Sequence, residues 1–186
     1  HRYTGEVFFI SHLVRITRIK NIEVLLSAVE ELKKKDLSIQ VFLYGDCVTA
    51  SDLDYKRDLE EIIEEKGLKK EVIFAGGIPY HDLSKSLSDC HITVNMTPPG
   101  GMDKVVLESI LLGMPTFVAN TAFRDLFGEY AVSFLYEYRD SSDLAMKIYN
   151  FIYTAHNQYI LDVLNSKVRK DFSLSNLVEK IVGLMK

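Results

Sequence analysis

Two cysteines, Cys47 and Cys90, are all that 186 residues contain, and they lack CxxC spacing. That scarcity excludes a disulfide scaffold and a cysteine zinc site, and it suits a reduced, cytoplasmic protein. No apolar run approaches the ~20 residues of a membrane span, and the N-terminus does not read as a signal peptide. Positive charge is not in excess: 22 Lys and Arg face 26 Asp and Glu, a net charge of −4. A nucleic-acid binder normally carries a basic face, so nucleic acid is not expected as a partner. The five histidines, at 1, 12, 81, 91 and 156, form no ligand spacing, and no metal is expected. His12 reads as a satisfied core histidine. GxSxG and HExxH are missing, and so are GxGxxG after the first strand and the P-loop pattern GxxxxGK[ST]. These absences count against a serine hydrolase, a zincin, a standard NAD-binding fold and a P-loop NTPase.

What is present is 47% hydrophobic and 26% charged, enough to build a sizeable core in one domain spanning residues 1–186. Short apolar runs read as strands at Val7–Val14, Ile39–Tyr44, Val72–Ala75, Ile92–Asn95, Thr116–Ala119 and Ala131–Phe134. Amphipathic stretches alternate with them. In Ile22–Lys35 the residues Ile22, Leu25, Leu26, Val29 and Leu32 follow the i, i+3, i+4, i+7 rule. Asp52–Lys66 ends at Gly67, a natural C-cap. Tyr80–Ser88 and Lys104–Leu112 read as short helices, and the chain from Ser141 onward as helical. This alternation predicts an α/β fold: a doubly wound, Rossmann-like parallel sheet of about six strands.

In such sheets ligands sit outside the carboxyl ends of the strands. The segments following the strands hold Gly45, Gly76, Gly77, Gly100 and Gly101 and Pro79, Pro98 and Pro99. That is five of ten glycines and three of four prolines, a concentration that favours a ligand crevice over simple turns. In PPGGMDKVVLES, Gly100 and Gly101 permit close backbone approach, and Asp103 is placed to cap a helix starting at Lys104. A glycine loop feeding a helix N-terminus suits phosphate. Glu108 stands inside the apolar run that follows. It is either half of an exposed i,i+4 pair with Lys104 or a carboxylate that accepts two vicinal ribose hydroxyls. Arg15 and Lys20 flank the first βα turn, either as ordinary loop cations or as partners for a diphosphate.

Four blocks in order resemble the C-terminal, donor-binding half of GT-B-type retaining glycosyltransferases, family 4 or group 1. They are Arg15 to Ala28 with its Lys20-Asn21 pair, Phe42-Leu43-Tyr44-Gly45, Val72 to Ile78, and Asp103 to Pro115. The last is the most specific. The resemblance implies a domain that binds a UDP- or GDP-sugar, part of an enzyme that transfers a hexose to an acceptor hydroxyl with retention and without a metal. It implies Glu108 for the ribose and Arg15 and Lys20 for leaving-group charge, with His12 at the arginine position in another register. It further implies Gly100, Gly101, Met102, Asp103, Lys104 and Val105 for the diphosphate and sugar, and Gly77, Ile78 and Pro79 for the base. The family's first glutamate falls on Gly100, which leaves donor-sugar recognition to other groups, Asp103 or main chain among them. The loop Asn120–Phe123 lacks the glycine pair often found there. An N-terminal acceptor-binding domain is expected as a partner, together with any peripheral contact with the cytoplasmic membrane face; alone, the chain is expected to bind nucleotide without transferring sugar. The competing expectations are another GT-B-like enzyme, such as an epimerase or phosphorylase relative, and a non-catalytic α/β interaction domain.

Overall fold

The structure, a computed structural model, describes residues 7–13, 15–154 and 158–172. Five strands form one parallel sheet: β1 (Phe8–Leu13), β2 (Ile39–Tyr44), β3 (Val72–Gly76), β4 (Ile92–Asn95) and β5 (Thr116–Val118). Their order is β3-β2-β1-β4-β5. Phe8 pairs with Ile39 and Leu13 with Tyr44, while Ile10 pairs with Ile92. The chain therefore winds outward from β1 in both directions, and the topological switch lies between β1 and β4, where an open α/β sheet leaves a crevice.

Eight α-helices are described: α1 (Ile22–Lys33), α2 (Ala50–Glu65), α3 (Leu83–Leu87), α4 (Lys104–Leu111), α5 (Arg124–Phe127), α6 (Ala131–Phe134), α7 (Ser141–Tyr153) and α8 (Gln158–Asp171). The five apolar positions predicted for α1 are all buried. α2 begins two residues earlier than expected because Thr49 and Asp52 form a reciprocal capping box, satisfying two free N–H groups at once. It ends before Gly67, which takes φ 63° as a left-handed C-cap residue. The residues beyond 172, expected to be helical, lie outside those described.

The sixth strand is not one. Ala131–Phe134 is a single helical turn, and the sheet has five strands. A short, mostly apolar stretch of four residues does not distinguish strand from buried helix by periodicity alone. Here burial decides it: Ala131 and Phe134, three apart, face inward, whereas Val132 is 75% exposed. Phe134 packs against Phe117, Phe127 and Phe151. The following residue, Leu135, makes an isolated parallel bridge to Val118.

Candidate functional site

Because every strand runs the same way, the segments after β1 to β5 gather on one edge, as the sequence predicts. A crevice of about 370 Å³ opens there. Arg15, Asp46, Gly77, Ile78, Val105 and Glu108 line it, with Leu13, Tyr44 and Leu83 as apolar wall. Those three, with Ile78 and Val105, belong to a satellite apolar cluster around Leu87 and Cys90, so the wall is backed by packed side chains. An apolar wall beside few polar groups is the usual make-up of a small-ligand site.

Glu108 is half-buried on α4. Among the described residues its carboxylate has no ion pair and no hydrogen bond, and the i,i+4 pair with Lys104 is not formed. Arg15 lies 4.0 Å from Asp52 with its side chain 52% exposed, so the guanidinium is free to take a second anion. Asp52 is itself fully engaged: the Thr17 hydroxyl, with the N–H groups of Val48 and Thr49, holds its carboxyl down at about 2 despite burial. Gly77 has a specific reason to be glycine. Its N–H donates to Asp46 Oδ1 at 2.9 Å, and a Cβ there would stand 2.1 Å from Asp46 Oδ2. Pro79 does not reach the crevice lining.

Beside the crevice lies a dense polar cluster. Lys20 Nζ donates to Thr97 Oγ1 at 3.1 Å and to Asp103 Oδ2 at 3.0 Å. Asn95 Nδ2 and Thr97 Oγ1 donate to the same Asp103 oxygen, at 3.1 and 2.5 Å. Burial pushes the Asp103 carboxyl up, but these donors outweigh it and hold it below the usual aspartate range. Asp103 occupies the N-cap position of α4 as predicted, yet its side chain does not cap the helix. The carboxylate is drawn to Lys20 instead, so the first N–H groups of α4 keep their capacity for another anion.

The glycine loop is held from behind. Asn120, fully buried, accepts from Gly100 N–H (3.3 Å) and Ala122 N–H (2.9 Å) and donates to the Gly101 carbonyl (2.9 Å). A Cβ on Gly100 or Gly101 would meet nothing within 4 Å. What their missing side chains preserve is open space in front of the loop. Met102 packs on the main core and Lys104 is exposed.

Sequence reasoning missed Asn95, Thr97 and Asn120 as site-building residues, and Asn21 as the pin of the β1–α1 turn. Asn21 is buried in a left-handed conformation (φ 48°). Its Nδ2 donates to the carbonyls of Ile19 and Met96 and to Tyr138 Oη, and its Oδ1 accepts from Arg139. Their sequence signals were an asparagine or threonine at or just after a strand end and, for Asn21, its place in the Lys20-Asn21 pair. His12 is satisfied on one side only. Nδ1 lies 2.9 Å from the Val94 carbonyl, while Nε2 is buried without a partner among the described residues. Burial, with nearby Lys20, lowers its pKa to about 4 against the pull of Val94 and Asp103, so the ring is neutral.

Among known proteins, the curated relative is the poly(ribitol-phosphate) alpha-N-acetylglucosaminyltransferase of Staphylococcus aureus, 22% identical over 181 residues, 94% of this chain and 34% of that protein. The solved HepE protein of Anabaena in complex with UDP superposes with a TM-score of 0.80 at 21% identity, covering 96% of this chain and 48% of that one. The C-terminal domain of LpcC, a glycosyl transferase group 1 family protein from Francisella tularensis, gives a TM-score of 0.77 at 22% identity, covering 90% of this chain and 87% of that one. At such identities the likeness establishes the Rossmann-like fold of a GT-B C-terminal domain. The chain spans about a third of the curated relative and about half of HepE. The family model "Glycosyl transferases group 1" matches residues 4–157, most of the sequence and nearly all of the ligand edge just described, and the chain belongs to that family.

Proposed function

We propose that this chain is the donor half of a retaining glycosyltransferase that binds a UDP- or GDP-hexose and delivers the hexose to an acceptor hydroxyl. The observation that carries this reading is the convergence of Arg15, Gly77, Ile78, Val105 and Glu108 on one crevice, with Lys20 and the α4 N-terminus beside it. These positions come from three separate stretches of sequence. HepE, of the same fold, is described in complex with UDP.

The base packs in the apolar wall near Gly77 and Ile78. The half-buried Glu108 carboxylate accepts both vicinal ribose hydroxyls, two oxygens matching a diol. The diphosphate then runs toward the N-terminus of α4, where free N–H groups, the helix dipole and the Lys20 ammonium meet it. As the glycosidic bond breaks, negative charge grows on the phosphate oxygens. Lys20, held by Thr97 and Asp103, stabilises that charge without reorganising, and the exposed Arg15 turns in to add to it. Two cations in these positions supply what a metal otherwise provides, so the transfer is metal-independent. Front-face attack on the same side as the departing diphosphate gives retention. Acceptor recognition falls to a separate N-terminal domain, with any contact at the cytoplasmic membrane face.

The test is hexose transfer by the enzyme that contains this chain, in the presence of EDTA. Arg15→Ala is expected to lower kcat by about 10²–10³-fold while leaving thermal unfolding unchanged, because Arg15 is exposed and its partner among the described residues stands 4.0 Å away. Lys20→Ala is expected to act as strongly on turnover. Inversion at the anomeric carbon, read by NMR of the product, or loss of activity on chelation, contradicts this mechanism.

A further inference from the structure

Asn21 and Arg139 both take left-handed backbone conformations, at φ 48° and 64°, and they hold one another. Asparagine is frequent in that region and arginine is not. A residue keeps such a conformation where its surroundings over-determine it, and the turn around Arg139 does so. Asp140 N–H donates to the Glu137 carbonyl (3.0 Å), Glu137 N–H to Asp143 Oδ2 (2.8 Å) and Asp143 N–H to Asp140 Oδ1 (2.9 Å). The result aims an exposed arginine at a buried amide 118 positions away. Arg139 Nε and Nη2 both donate to Asn21 Oδ1, each at 3.2 Å. Among the described residues its guanidinium otherwise meets the Tyr138 ring, at 5.3 Å.

Nδ2 of the same amide joins the two segments that meet at Lys20. It donates to the Ile19 carbonyl (3.1 Å), just before Lys20, and to the Met96 carbonyl (3.2 Å), just before Thr97. Lys20 Nζ bridges the same gap to Thr97 Oγ1. The clamp works only with Nδ2 toward those carbonyls. Turned over, the amide would set Oδ1 against two carbonyl oxygens. A guanidinium can only donate, so Arg139 selects the clamping orientation. Its charge also polarises the amide, which strengthens the Nδ2 bonds.

We infer that Arg139 is a positioning residue: acting through the Asn21 amide, it holds Lys20 where the diphosphate needs it. Arg139 itself does not line the crevice. This rests on the donor-site reading above.

The experiment is calorimetric titration of the chain with UDP and uridine, and with GDP and guanosine, in wild type, Arg139→Gly, Lys20→Ala and the double variant. The ratio of diphosphate to nucleoside affinity isolates what the phosphates contribute. Glycine accepts the left-handed backbone, so Arg139→Gly removes the guanidinium without adding strain. Lys20→Ala is expected to lower the ratio about tenfold, the size of a hydrogen bond to a charged group. Arg139→Gly is expected to lower it about fivefold, a large part of the same bond, with nucleoside affinity unchanged. In the Lys20→Ala background Arg139→Gly should change nothing further, because the two act as one unit. A ratio unchanged in either single variant, with UDP or GDP still bound, overturns the inference and leaves the nucleotide crevice standing. So does a fall of equal size with and without Lys20, the mark of a merely structural role. No nucleotide bound by folded wild type overturns both readings. Should Arg139→Gly fail to fold, Arg139→Asn, which tolerates the left-handed backbone and falls short of Asn21, is read in the same way.

Discussion

On the β2–β3 side of the ligand edge, Arg15 and Glu108 line an open crevice with little to hold them: among the described residues, one distant carboxylate for the arginine and no partner for the glutamate. On the β4–β5 side, Lys20, Asp103, Asn95 and Thr97 are tied together by hydrogen bonds, Asn120 holds the Gly100–Gly101 loop, and Asn21 anchors the turn that carries Lys20. The first side keeps its polar capacity for a ligand and relies on an apolar wall for shape. The second spends its capacity internally and gains fixed geometry. Such a division suits a ligand whose nucleoside is held by contact and whose reacting end must be aligned, because catalytic charges help most when they need not move.

The sharpest way to break this contrast is to remove the pin of the preorganised side. Asn21→Ala leaves the Met96 and Ile19 carbonyls, Tyr138 Oη and Arg139 without their common partner. Unfolding in urea is expected to show a loss of about 4 kcal/mol, from the buried Met96 carbonyl and the part-buried partners at 1–3 each with partial rehydration. A loss near the few tenths typical of a surface site would mean that the turn holds Lys20 without it.

Next in size is the effect of pH on His12, beneath the same cluster and close to Lys20 and Asp103. Its native pKa is about 4 against an unfolded value of 6.5. The unfolded chain therefore takes up a proton before the native one does. Stability from this group is full above 6.5 and is lost as pH falls toward 4, on the order of 3 kcal/mol. Asp103, held below the ordinary range, loses its contribution only at more acid pH. Urea midpoints between pH 7.5 and 4.5 should fall in wild type and stay flatter in His12→Gln; parallel slopes would show that His12 is not the titrating group.

The smallest effect tests the open side. Gly77→Ala drives a Cβ into the Asp46 carboxylate, which can rotate away at the cost of one exposed hydrogen bond. Thermal unfolding should change by less than about 1 kcal/mol, yet the crevice wall moves and nucleotide affinity drops. Unchanged affinity would remove this wall from the site.

How much of this was legible in the sequence follows from the range of the interactions involved. β1 to β5 and α1 were legible because short apolar runs bounded by turn residues and i, i+3, i+4 spacing are local. The ligand edge followed from the parallel direction of the strands alone, which put the segments holding Arg15, Gly77 and Glu108 on one edge before any side chain was placed. Ala131–Phe134 was misread because a stretch of four residues carries no period, and only the Phe117–Phe127–Phe151 surroundings settle it. The polar cluster was illegible for another reason. Lys20 meets Thr97 across 77 residues, and Asn120 meets Gly100 across 20, so no local pattern records either contact. Asp103 shows the limit most clearly: its capping position was predicted, but the pull of Lys20 on its side chain was not.

The most direct test of the donor-site reading is titration of the chain with UDP, GDP and ADP without added metal, beside Glu108→Ala. The account predicts saturable binding of UDP or GDP by wild type, weakened about tenfold or more in the variant, the worth of two hydrogen bonds to a carboxylate, with both proteins equally stable. Equal binding by the two proteins would remove Glu108 from the site, and no binding by folded wild type would contradict the donor-site reading itself.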